Sequence, residues 1–187
     1  MHVTDLHRRS VEGFLDRAAA LDGFGPDGWA GPTPCADWDV RALLNHLVYE
    51  DLWTVPLMEG ATVEEVGDRF EGDLLGEHPL VAARAAGDVA ITAAASGIVA
   101  GRTVHLSYGD VPADEYAYQL AADHIIHGWD LAVATGGDTS MEPDMVAALA
   151  EWFAGNEDAY RQAGAIAERP PGAGDAGDDW AELLRAF

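Results

Sequence analysis

From Val40 to Val55 the apolar residues fall at Val40, Leu43, Leu44, Leu47, Val48, Leu52 and Val55, an unbroken stripe at the period of about 3.6 residues that marks one buried face of an α-helix. Asp39, just ahead of it, has the side chain of an N-cap. A stripe this long must be covered by other elements, so the question becomes what covers it. Residues 5–21 place Leu6, Phe14, Leu15, Ala18 and Leu21 at near-helical spacing, with Thr4 as the expected cap. Leu80 to Ala95 reads as an alanine-rich helix ended at Gly97. A fourth long helix opens with Pro112 in its first turn, carries Tyr116, Leu120, Ile125, Ile126, Leu131 and Val133, and stops at Gly136-Gly137. Four long helices predict an all-α fold, a four-helix bundle.

The connections are long. Asp22 to Cys35 is rich in Gly and Pro. Residues 56–79 break the helical pattern at Pro56, Gly60, Gly67, Gly72, Gly76 and Pro79, with a short helix expected around Thr62–Val66. Long ordered connections in compact domains are often functional, which makes 56–79 a candidate lid. Thr103 to Tyr108 reads as a scrap of strand closed by Gly109-Asp110. Beyond the bundle, a helix is expected from Pro143 to Ala154, a short one through Tyr160, a loop over Glu168–Asp178 and a terminal amphipathic helix from Trp180 to Phe187. No internal repeat is present.

Charge narrows the functions. The 187 residues carry 33 acidic and 10 basic side chains, a net charge of −23, and every basic residue is Arg. Such a field repels phosphate backbones and anionic lipid, which disfavours nucleic acid and membrane surfaces as partners and favours cations. The single Cys35 excludes an intrachain disulfide and Cys-rich zinc modules, and fits a reducing compartment. Asp5, Arg8, Arg9, Glu12 and Asp16 rule the N-terminal stretch out as a signal peptide. No apolar run approaches the roughly 18 residues of a membrane span. The expectation is one soluble, cytoplasmic domain over residues 1–187.

The chemistry concentrates in Ala122 to Asp130. Asp123 and His127 stand four residues apart, so on a helix they lie about 40° apart on one face and roughly 6 Å apart along the axis. A carboxylate and an imidazole so placed can share one divalent ion. His46, beside the apolar stripe of the earlier helix, is the candidate third ligand. Two imidazoles and a carboxylate leave an open coordination position, as catalytic metal sites do. His124 is the alternative to Asp123. Glu50, one turn after His46, is a candidate fourth ligand or general base. Asp130, three residues after His127, is placed to orient that imidazole from behind. The competing readings are a simple Asp123–His127 hydrogen bond and a core histidine at position 46. Trp38, Trp53 and Trp129 read as core or rim aromatics. His2, His7, His78 and His105, without partners at useful spacing, read as surface residues. Cys35 precedes a helix N-terminus, which can lower a thiol pKa, although a small packed Cys is the preferred reading. HExxH, GxSxG, Walker and glycine-rich phosphate motifs are absent from the sequence.

Two stretches resemble a known family. Thr33 to Val48, TPCADWDVRALLNHLV, is similar to a TPCxxWxVRxLLNH signature, and Asp123 to Gly136, DHIIHGWDLAVATG, to an (E/D)xxxHGWDLAxATG signature. Residues 66–76, Trp152-Phe153 and Tyr160-Arg161 add to the likeness. Both signatures belong to metal-binding proteins of the DinB-like superfamily, which includes the N-terminal domain of mycothiol-dependent maleylpyruvate isomerase. The resemblance implies a DinB-like four-helix bundle holding a divalent metal through His46, Asp123 and His127. Zn2+ comes first as the metal, ahead of Ni, Fe or Mn. In the isomerase branch the carboxylate is Glu, so Asp123 shortens that arm. The chain ends without the additional C-terminal domain of the isomerases, so their specific reaction is not carried over. The implied activity is a thiol-dependent transferase or isomerase with mycothiol as co-substrate and a small molecule as partner. A non-catalytic binding module and a metal-assisted hydrolase using Glu50 are the alternatives. Bundles of this kind often pair through an apolar helix face, which leaves a homodimer open.

Overall fold

The computed structural model describes residues 1–36, 38–162 and 179–186. The chain divides into two compact units, residues 2–139 and the residues from 140 onward with Met1. The first unit is a four-helix bundle. Its helices are α1 (Val3–Ala18), α3 (Val40–Glu59), α5 (Pro79–Val99) and α6 (Ala113–Thr135), with short helices α2 (Pro26–Trp29) and α4 (Val63–Val66) in the connections. α1 packs chiefly on α6 and α3 chiefly on α5, while α1–α5 and α3–α6 contacts close the bundle. Strands β1 (Thr103–Leu106) and β2 (Gly109–Pro112) form one antiparallel hairpin ahead of α6, and a single bridge joins Thr62 to His105.

The core follows from the stripes. Val11, Phe14 and Leu15 of α1 share one buried cluster with Leu43, Leu44 and Leu47 of α3 and Leu131 of α6, while Tyr116, Ala117 and Leu120 of α6 share a second with Trp53 and Leu57 of α3. α5 contributes small residues instead: Ala83, Ala86, Gly87, Ala90, Ala94 and Gly97 form its buried face. Without a side chain Gly97 lets α3 come close; a Cβ there would stand 2.7 Å from Met58 Sδ. α5 continues through Gly97 to Val99 rather than ending there as the sequence predicts.

Other helix boundaries also move. α1 starts at Val3, capped by His2, whose Nδ1 accepts from Thr4 N–H at 3.2 Å; Thr4 therefore lies inside the first turn, not at the cap. Asp39 caps α3 as expected, accepting from Ala42 N–H at 2.8 Å. α3 runs past Pro56 to Glu59 and ends at Gly60, which adopts φ +99°. Pro56 stands in the last turns, where it forfeits a single helix hydrogen bond. The short helix at 63–66 has the capping box written in Thr62 and Glu65. Pro112 is the residue before α6, not part of its first turn.

The segment expected as a lid is strapped to α3. Asn45 donates to Gly72 O and accepts from Leu74 N–H, Arg41 pairs with Asp73 and donates to Gly76 O, and Leu75 is buried. In the second unit, one continuous helix α7 (Pro143–Gln162) replaces the predicted pair, and α8 (Asp179–Ala186) matches the expected terminal helix with Leu183 buried. The Glu168–Asp178 loop and Phe187 lie outside the described residues. Among the described residues no helix is long and apolar enough to cross a membrane.

Candidate metal centre

α3 and α6 run in opposite directions where they face each other: Asp51 meets His124, His46 meets Asp123 and His127, and Cys35, just before α3, meets Asp130. The middle of this ladder is the candidate site. His46 Nε2 is 2.9 Å from Asp123 Oδ2, and His127 Nε2 is 3.6 Å from Asp123 Oδ1. The two imidazoles stand edge to face, ring centres 5.2 Å apart. One ligand atom from each of the three residues lies within 4.8 Å of the others. The side chains of Asp123 and His46 are 35% and 23% exposed and that of His127 is 12% exposed, so the cluster opens outward from the bundle.

The electrostatics bind the trio together. Burial alone would raise the Asp123 carboxyl, but the hydrogen bond with His46 and the charges of His127, His46 and His124 outweigh it and hold the group below the usual range. Burial likewise pulls His46 down, while Asp123, and then Glu50, more than reverse it. Glu50 stands at the edge of the site. Burial first, and the charge of Asp123 second, push its carboxyl up to about 7, against the pull of His46 and His124.

Asp130 lies where the sequence places it, behind His127, with Oδ2 2.9 Å from His127 Nδ1. His124 does not join the trio. Its ring is 1% exposed, its Nδ1 donates to Leu120 O at 2.8 Å, and its Nε2 faces Asp51 Oδ1 at 3.3 Å inside the bundle. Burial would lower this imidazole, yet Asp51 and the Leu120 carbonyl hold it above the ordinary value.

Three expectations need correction. His7 is 1% exposed rather than a surface residue, its ring edge-on to His124 at 6.2 Å. His2 and His105 do have partners: His2 caps α1, and His105 Nδ1 lies 2.7 Å from Asp110 Oδ1. Cys35 is neither activated by a helix N-terminus nor merely packed. Its Sγ donates to Asp130 Oδ2 at 3.2 Å and lies 3.8 Å from His127 Nδ1. Burial first, then the bond to Asp130 and the charges of Asp130 and Asp123, push the thiol up to about 12. Trp38 covers the trio from the side, its ring 4.5 Å from that of His46 and 5.4 Å from that of His127. Sequence reasoning named both residues, Cys35 as an activated or packed thiol and Trp38 as a core or rim aromatic, without linking either to the trio. The antiparallel run of the two helices was the available signal: residues just before α3 must lie opposite those after His127.

Residues 7–132 match the family model of the mycothiol maleylpyruvate isomerase N-terminal domain. The chain belongs to this family. The DinB-like helical bundle described above is the fold of that N-terminal domain family. Two relatives, the uncharacterized proteins MT0763 and Rv0738 of Mycobacterium tuberculosis (strains CDC 1551 / Oshkosh and ATCC 25618 / H37Rv), are each 32% identical over 145 residues, covering 74% of this chain and 70% of their own. No solved structure matches the chain.

Proposed function

We propose that this member of the isomerase N-terminal domain family is a divalent-metal enzyme that acts with a low-molecular-weight thiol of the mycothiol class, as a transferase or isomerase. The observation that carries the reading is the convergence of His46 Nε2, the Asp123 carboxylate and His127 Nε2, with a half-buried Glu50 close enough to feel their charges. Two neutral nitrogens and one anionic oxygen are the donor set of a borderline ion such as Zn2+, so the residues present fit such a group. When bound, a divalent ion supplies Lewis acidity, which lowers the pKa of a thiol or water held against it.

The remaining work falls to the chain. Asp130 accepts a hydrogen bond from His127 Nδ1–H and so directs the bare Nε2 of that ring toward Asp123. Glu50, with its carboxyl near 7, is partly ionised at neutral pH and can take the thiol proton and return it to product. Trp38 shields one side of both imidazoles from water. The net charge of −23 favours uptake of the cation and disfavours strongly anionic substrates.

The test joins elemental analysis to turnover. Wild type is expected to carry about one equivalent of divalent ion that His46→Ala, Asp123→Ala and His127→Ala lose. Mycothiol-dependent consumption of an electrophile should fall at least ~100-fold in the same variants, as expected when a group made for the transition state is removed. Thiol-dependent turnover that survives unchanged in the His46→Ala/His127→Ala protein would refute the reading. Turnover of an ester or amide without thiol, lost in Glu50→Gln with metal retained, would replace it with hydrolysis.

A further inference from the structure

Two donors converge on one buried oxygen behind His127. Asp130, 4% exposed, presents Oδ2 to His127 Nδ1 at 2.9 Å and to Cys35 Sγ at 3.2 Å. A carboxylate removed from water needs such donors, because each one lost leaves charge uncompensated. The loop holds the thiol in place. Thr33 Oγ1 accepts from Cys35 N–H and lies 3.1 and 2.8 Å from the carbonyls of Cys35 and Trp38, and Trp38 N–H donates to Cys35 O. A bridge between Pro32 and Asp39 ties the same loop to the start of α3. Cys35 is thus fixed to the helix that carries His46, while its hydrogen bond reaches the helix that carries His127.

We propose that Cys35 is a positioning residue for His127: its thiol donates to Asp130, which keeps that carboxylate oriented on Nδ1 and leaves Nε2 free on the side of Asp123 and His46. With Cys35 gone, Asp130 keeps only His127 as a side-chain donor among the described residues. It then turns more readily away from Nδ1. The tautomer that presents Nε2 is less firmly set. The consequence for metal binding rests on the metal-centre reading above. Loss of a group directly behind a ligand imidazole typically weakens metal affinity about 10- to 100-fold. Cys35 acts one bond further out through a weak S–H donor, so about a threefold to tenfold loss is expected.

The test uses the full chain as wild type, Cys35→Ala, Cys35→Ser, Asp130→Asn and the Cys35→Ala/Asp130→Asn double variant. Co2+ affinity is measured by competition with a chromophoric chelator. Nitrogen-15 spectra of the His127 ring in the metal-free protein report its tautomer. Cys35→Ala is expected to weaken Co2+ by about threefold to tenfold and to mix the tautomers. Cys35→Ser, which keeps a donor, should restore both. In the Asp130→Asn background Cys35→Ala should add no further loss. Wild-type affinity and an unchanged ring spectrum in Cys35→Ala overturn the proposal. So does a Cys35→Ser protein as poor as Cys35→Ala, and a thiolate-to-cobalt charge-transfer band in wild type would then make Cys35 a ligand itself. If wild type binds no cobalt, the metal reading fails, and the ring spectra alone decide for or against Cys35.

Discussion

Replacing His7 with leucine should remove a specific part of this protein's acid sensitivity. His7 is 1% exposed on α1, and its Nε2 has no hydrogen-bond partner. Burial first, then the charge of His124, pull its pKa down to about 3. The folded value lies below the unfolded one of about 6.5, so between them the unfolded chain holds a proton that the folded chain does not. Stability must therefore fall as pH falls through that window. At about 1.4 kcal/mol per pH unit once below 6.5, acidification from pH 7 to pH 5 costs roughly 2 kcal/mol through this one group. Leucine is similar in size and removes both the titration and the orphaned nitrogen. The assay is urea unfolding of wild type and His7→Leu at both pH values in the presence of a chelator, so that metal occupancy stays constant. Every other group titrates in both proteins, and the difference isolates His7. Wild type should lose about 2 kcal/mol more than the variant over those two pH units. Parallel losses would show that the ring is charged or hydrated in the folded state, and the reasoning from burial would be wrong.

Metal removal gives a second expectation: at an ion concentration about 100 times Kd, binding to the native state alone adds about 2.7 kcal/mol. Chelation should then lower the wild-type Tm by about 5–10 °C and leave that of Asp123→Ala unmoved. Gly97→Val forces a side chain against Met58, 2.7 Å from Sδ and 3.3 Å from Cβ at the first carbon alone, and should cost about 1–3 kcal/mol in urea unfolding without changing metal stoichiometry. Asp39→Ala removes the acceptor for Ala42 N–H at the start of α3, an expected loss of about 0.5–2 kcal/mol by the same measurement.

The stripes of α1, α3 and α6 made the bundle legible because a single buried face repeats at the helical period, and Asp39 and the Thr62/Glu65 box wrote two helix starts into the chain. What the pattern could not show was the use of small residues. Gly97 and Pro56 read as stops when taken locally, yet α5 needs Gly97 to pass Met58, and Pro56 sits where one lost hydrogen bond is tolerated. Spacing brought Asp123, His127 and Asp130 onto one list, since i,i+3 and i,i+4 neighbours share a helix face, while His46 joined them as the histidine beside the apolar stripe of another helix and through the family resemblance. Cys35 escaped because its partner Asp130 stands far away in sequence, across the α3–α6 contact, and Trp38 because the two imidazoles it covers lie on both helices. His7 escaped for a different reason. A histidine among Leu6, Val11 and Phe14 looks like the polar edge of a stripe, and its burial follows from α6 presenting a second histidine there, which no local pattern reports.

That second histidine explains why Asp123, and not His124, faces the other two candidate ligands. The two are neighbours on α6, so a rotation of about 100° exchanges their directions. In the observed setting His124 sits with Asp51 Oδ1 at 3.3 Å and the Leu120 carbonyl at 2.8 Å, both of which favour its protonated form, while Asp123, 35% exposed, lies between two imidazoles. After the exchange two carboxylates, Asp51 and Asp123, would share the interior with His7, whose pKa is already too low to supply a charge there. Burying like charges without a counterion is far more costly than burying a matched pair. The Asp51–His124 contact therefore favours, together with the apolar face of α6, the rotation that presents Asp123 and His127 to His46.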